Sequence, residues 1–213
     1  MIKDAKYDTE INNARKKIAD FFGFHLENIE IIVAENRNEY EKLLGRKTAD
    51  WEIGSYSPQE KNIKLLDPAR WRKDAPMHNP KKFQTTIKHE LVHAYIYHLS
   101  KNKALPIWLS EGLAETISGS GQNKKIQYFE TDFCSKLDTP FNWSKWVNTN
   151  SGAYAAAYLF MRYLLDKYGF ETIKKLIQTT HINYSYNRFD KIVAGVFKKN
   201  LTELEQDFLD TLV

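Results

Sequence analysis

An α+β fold, with a small mixed α/β first half and an all-helical second half, is predicted from three features of the 213-residue chain. Short β-branched and strand-like runs are confined to its first part. Two of them flank a Ser-Pro turn and read as an antiparallel hairpin. From Phe83 onward, apolar residues recur at helical spacing almost to the end. The expected organisation is a single domain, 1–213, in which 1–100 form the α/β lobe and 101–213 the helical lobe.

The elements follow in order. Ile11, Ala14, Ile18, Phe21 and Phe22 keep helical spacing, and Gly23 stands where a left-handed residue closes a helix, so the first element is an amphipathic helix. NIEIIVA, with its core at 29–34, is a strand, and NEYEKLLG is a short helix. WEIGSYSPQEKNIKLL supplies the two hairpin strands. A helix is predicted from 83 to about 100. Another starts from Pro106, because proline fits a first helical turn. SGAYAAAYLFMRYLLDKYG reads as a long buried helix, with Ser151 placed to cap its start and Gly169 to stop it. ETIKKLIQTT and RFDKIVAGVF follow as helices, and LTELEQDFLDTLV opens with Thr202 and Glu205 at capping-box spacing.

Composition narrows the function classes. A chain of this length buries roughly 70 % of the surface its unfolded form exposes, so it folds without staples. Its one cysteine, Cys134, cannot form an internal disulfide, and within TDFCSKL it reads as a packed core thiol and not a nucleophile. With 42 % hydrophobic and 27 % charged residues and no long apolar run, neither disorder nor a membrane span is expected. The formal charge of +4 is spread over scattered lysine doublets, so no nucleic-acid partner is expected. MIKDAKYDTEINNARKK lacks the apolar segment of a secretory signal. The chain as given is therefore expected in the cytoplasm, unless a signal was removed ahead of it.

The chemistry concentrates in TIKHELVHAYIYHLSKNKALPIWLSEGLAE, residues 86–115. Positions i and i+4 share a helix face, with Cβ atoms about 6 Å apart. His89 and His93 can therefore hold one ion between their imidazoles, at the roughly 2.0–2.1 Å usual for zinc. Glu90 is turned about 100° from His89 around the helix, beside such an ion and not on it. That is where a base must stand to take a proton from water on the metal. A catalytic zinc takes three protein ligands and keeps an open position. Glu111, on the next predicted helix, offers the third ligand. Gly112 beside it would let two backbones approach closely. Glu115, one turn further, is placed to accept the other ring N–H of a ligand histidine. The plainer alternative puts both histidines on the solvated face of an amphipathic helix buried through Ile87, Leu91 and Tyr95, and both glutamates on another solvated face. Against it, WLSEGLAE surrounds the glutamates with apolar residues, and a carboxylate buried there needs a cation. His25, His78, His98 and His181 have no partner at ligand spacing and read as surface or packing residues.

HELVH followed by WLSEGLAE resembles the gluzincin zinc metallopeptidases, most of all the peptidase MA-like group with the aminopeptidase-type W-L-x-E-G-x-A signature. The resemblance spans about residues 50–213. It implies a zincin-like two-lobed fold, Zn2+ as cofactor, His89, His93 and Glu111 as its ligands, and Glu90 as the catalytic base. GSYSPQEKNIKLL is similar to the family's hairpin above the cleft, whose edge strand pairs with an extended peptide or protein substrate. The helix at 151–169 resembles one that carries a tyrosine near its start. Tyr154 is assigned to that oxyanion contact, with Tyr158, one turn on, as the alternative. Both also fit as core aromatics. No segment matches the Gly-x-Met-Glu-Asn signature of the related aminopeptidases, so endopeptidase activity is expected. Two other classes stand beside it. A zincin-fold binding module would have no need of Glu90. A metallopeptidase-like regulator that cleaves a DNA-bound repressor would be expected to show a basic recognition helix, and none is evident.

Overall fold

The computed structural model describes residues 5–103, 105–122, 133–136, 138, 143, 152–180 and 186–212, so Ser151 and His181 lie outside the described residues. Across these the chain is mixed α/β and mostly helical, with one small three-stranded sheet. It divides into two units, Met1–Tyr95 and Ile96–Val213, and the division falls inside a helix.

The first unit opens with α1 (Asp8–Phe22), which Gly23 closes at φ 79°, its N–H donating to the Ala19 carbonyl at 2.9 Å. β1 (Glu30–Ala34) leads to α2 (Arg37–Leu44), which is capped by the Asn36 side chain accepting from the Glu39 N–H. The hairpin strands are β2 (Gly54–Ser57) and β3 (Asn62–Leu66). Their order is β1-β3-β2, with β1 parallel and β2 antiparallel to β3, so β2 lies at an edge of the sheet. β3, flanked on both sides, is buried at all five positions, and Ile63, Leu65 and Leu66 have no exposed surface. Trp71, in the short α3 (Trp71–Asp74), is equally buried. Its indole N–H donates to the Leu66 carbonyl at 2.9 Å, which satisfies the polar atom that a buried tryptophan carries. α4 (Phe83–Leu99) starts in this unit and packs on α1 through Tyr95, whose ring centre is 4.7 Å from that of Phe22.

Asp67, just past β3, ties the start of the chain to the sheet. Its carboxylate accepts from the Tyr7 hydroxyl at 2.6 Å, from the Lys6 ammonium at 2.9 Å and from the Ala69 N–H at 2.7 Å. Burial opposes its ionisation, but the Tyr7, Lys6 and Ala69 donors outweigh burial and hold the carboxyl below its usual range. A depressed carboxylate stabilises the fold above its unfolded pKa of about 3.9, and that share is lost as pH falls through the lower folded value. Asp67→Asn should therefore lower stability at neutral pH, and its gap to wild type should narrow as pH falls below about 4. Urea titrations of both proteins between pH 7 and 3 measure this.

The second unit is helical throughout its described residues: α5 (Ile107–Ser118), α6 (Phe133–Lys136), α7 (Gly152–Tyr168), α8 (Phe170–Thr179), α9 (Tyr186–Phe197) and α10 (Leu201–Leu209). Phe160 on α7 centres the core, with ring centres 5.0 Å from Phe133, 5.4 Å from Trp108 and 5.5 Å from Phe208. Gly169 stops α7 as expected, at φ 76°. The last helix begins two residues earlier than the Thr202–Glu205 spacing suggests. Asn200 is the cap, its side chain accepting from the Glu203 N–H at 2.9 Å while the Glu203 carboxylate accepts from the Asn200 N–H at 2.7 Å. Asn outranks Thr as a cap, and Glu205 is engaged elsewhere. It is buried and accepts from the Cys134 N–H at 2.7 Å. Cys134 is also buried, and burial pushes its thiol well up, as suits a core thiol. Among the described residues no helix is long and apolar enough to cross a membrane.

The close approach read from Gly112 is real, and its partner is α7. A Cβ at this position would lie 2.5 Å from the Ala157 carbonyl oxygen and 2.9 Å from Met161 Cβ. On an exposed helix face, glycine to alanine stabilises by up to about 1 kcal/mol. Here overpacking should reverse the sign, so Gly112→Ala is expected to destabilise by about 1–3 kcal/mol. That would appear as a Tm lowered by about 2–10 °C for a chain of this size.

Candidate metal centre

α4 is not a simple amphipathic helix. Ile87, Leu91, Val92, Ala94, Tyr95 and Ile96 are all buried and lie around more than one face. A helix apolar on so much of its circumference is packed between neighbours and not laid on a surface. His89 and His93 are only partly exposed, so the solvated-face alternative does not describe them.

The i, i+4 spacing sets the two rings nearly perpendicular, at 75°, with centres 4.9 Å apart and Nε2 atoms 3.2 Å apart. Two nitrogens each about 2.1 Å from a tetrahedral ion stand about 3.4 Å apart, so the pair is already near a chelating separation. Glu111, half-buried in the first turns of α5, completes the group. One ligand atom from each of His89, His93 and Glu111 lies within 4.8 Å of the others. Two imidazoles and a carboxylate form a donor set suited to a divalent first-row ion. A His-His-Glu group able to hold a metal ion is therefore present.

Glu90, between the two histidines in sequence, is buried with 7 % of its surface exposed. It faces the start of β2. A Cβ on Gly54 would stand 3.0 Å from Glu90 Oε1 and 3.1 Å from its Cγ. The Ile53 carbonyl accepts from the Leu66 N–H at 2.9 Å, so Ile53 and Leu66 are a bonded pair of the antiparallel ladder. The next residue, Gly54, then belongs to a non-bonded pair and turns its N–H and C=O away from β3, toward the sheet edge. The segment that enters β2 is anchored by Arg37. Its guanidinium donates to the Asp50, Glu52 and Asp74 carbonyls and to the Thr48 hydroxyl, and Arg46 adds a bidentate pair to the Glu52 carboxylate. Tyr40, fully buried on α2, is raised first by burial and then by the Glu90 and Glu52 carboxylates, so it is a neutral phenol in their field.

The other expected residues are placed as follows. Glu115 is buried one turn beyond Glu111, and its carbonyl accepts from the Gly121 N–H at 3.1 Å. Tyr154 lies in the first turn of α7, part-exposed, with its ring edge-on to Trp143 at 4.9 Å. Tyr158 is buried against Gly121, where a Cβ would collide with its ring, and its hydroxyl accepts from Arg162 at 3.4 Å. Its packing matches the core-aromatic alternative. His25 and His98 are exposed, while His78 bonds the Trp51 carbonyl at 2.7 Å and packs on Trp71. Gly54 was not singled out from the sequence. The signal available was a glycine inside a strand-forming run, which marks a bulge or a close approach of another group.

Comparison with protein-family models finds no match for the chain, and comparisons with curated proteins and with solved structures find none either.

Protein purified without chelator should carry near one divalent ion per chain by elemental analysis, and Glu111→Ala or His93→Ala should lose most of it. Second-site changes such as Lys101→Ala should leave the content unchanged.

Proposed function

We propose that this chain is a zinc metallopeptidase of the gluzincin type with a zincin-like two-lobed fold, acting as an endopeptidase on extended peptides. The observation that carries the reading is the joint arrangement of a His-His-Glu donor set with a buried glutamate between the two histidines in sequence, itself set against the edge strand of a sheet. A binding module needs the donor set at most. A carboxylate beside the donor set is what a peptidase needs to move a proton.

His89, His93 and Glu111 would hold the ion, and zinc so bound polarises a carbonyl and lowers the pKa of a water to near 7. Glu90 would serve as the general base for the attacking water and would hand the proton on to the leaving amine. The outward N–H and C=O of Gly54 offer main-chain bonds to a peptide laid along β2, which would pass its backbone beside Glu90. Tyr154, at the start of α7, is the residue we assign to the developing oxyanion.

Glu90→Gln should keep its metal and lose turnover of a peptide substrate by about 10²- to 10⁴-fold. Hydrolysis at the wild-type rate by this variant, with contaminating protease excluded by a metal-free control, would sink the assignment.

A further inference from the structure

We propose that Gly54 is a positioning residue for Glu90: the missing side chain at this point of β2 fixes where the carboxylate stands. The proposal rests on the metallopeptidase reading for its consequence, and on the geometry alone for its premise.

Glycine weakens a strand, so its presence in β2 calls for a reason. Backbone conformation does not supply one. Gly54 is absent from the chain's positive-φ glycines, which are Gly23, Gly45, Gly119 and Gly169, so an alanine could adopt its φ and ψ. The reason is space. A Cβ would meet Glu90 Oε1 at 3.0 Å, Glu90 Cγ at 3.1 Å and Leu65 Cδ2 at 3.1 Å, all tighter than ordinary van der Waals contact. Leu65 is the residue directly opposite in the ladder, so its side chain shares the face that Gly54 leaves bare. The Glu90 side chain thus lies with its Cγ and one oxygen against strand backbone, a wall that the Arg37 anchor holds in place. A methyl group there must push the carboxylate, the leucine or the strand.

These contacts ask the carboxylate to give by a few tenths of an ångström, and since a misplacement of about 1 Å costs on the order of 10²-fold in rate, a shift of that size should cost severalfold in a proton transfer that needs a heavy-atom separation of about 2.6–3.2 Å. Gly54→Ala should therefore act on turnover and leave the metal ligands untouched.

Two measurements test this. The first is a double-mutant cycle in thermal stability, which needs no activity. Gly54→Ala should lower Tm by about 2–10 °C in the wild type and by less than half as much in a Glu90→Ala background, where the obstructing side chain is gone. An equal loss in both backgrounds, or a loss relieved by Leu65→Val and not by Glu90→Ala, overturns the proposal. The second is steady-state kinetics at matched metal content. Gly54→Ala should lower kcat by about 2- to 10-fold with KM within about twofold, while Lys16→Ala, exposed on α1, leaves both unchanged. An unaltered kcat in Gly54→Ala also overturns it. A wild type that hydrolyses no peptide defeats the peptidase reading, and the stability cycle still decides whether Gly54 sets Glu90.

Discussion

A carboxylate kept out of water is the constraint on which this molecule turns. Glu90 sits on a helix packed on several faces and against a strand that has no side chain at the point of contact. Burying an ionised group carries an effective penalty of several kcal/mol, which the groups around it must offset. Its neighbours are arranged accordingly. The Tyr40 phenol, fully buried and neutral, sits in its field, and a guanidinium with four acceptors anchors the chain that leads into the strand.

Helix α4 explains how one element serves both packing and chemistry. Its buried apolar residues lie around more than one face, and the turn between positions 89 and 93 supplies the two imidazoles at a spacing set by helical geometry. Packing fixes the helix, and the i, i+4 spacing sets the two Nε2 atoms 3.2 Å apart. Glu111 stands on a helix whose own seat is set by Gly112 against α7.

Most secondary structure was legible because several helices carry their own stop signals and the strands are short β-branched or strand-like runs, two of them beside a turn. Gly23 and Gly169 end their helices where the sequence puts them, and the Ser-Pro turn joins β2 to β3. The two histidines were legible for the same reason: i, i+4 is a local rule. What escaped was non-local. The cap at Asn200 displaced the Thr202–Glu205 pairing because Glu205 had a buried partner from a distant helix, Cys134. The partner of Gly112 was hidden too, since a glycine announces a close approach without naming what approaches. Gly54 escaped for the same reason, its neighbour Glu90 being fixed only once the hairpin docks on α4.

Two of the positions that matter most here have nothing to remove. Alanine scanning maps a protein by truncating side chains and reading the loss, and at Gly54 and Gly112 it is an insertion of matter into occupied space. A scan that skips glycines would report a strand and a helix with no functional content at either point, and one that includes them would file the result under misfolding. For this chain the informative map is one of added volume, position by position along β2 and α5, in which tolerance to a single methyl group separates an open surface from a wall that holds something in place.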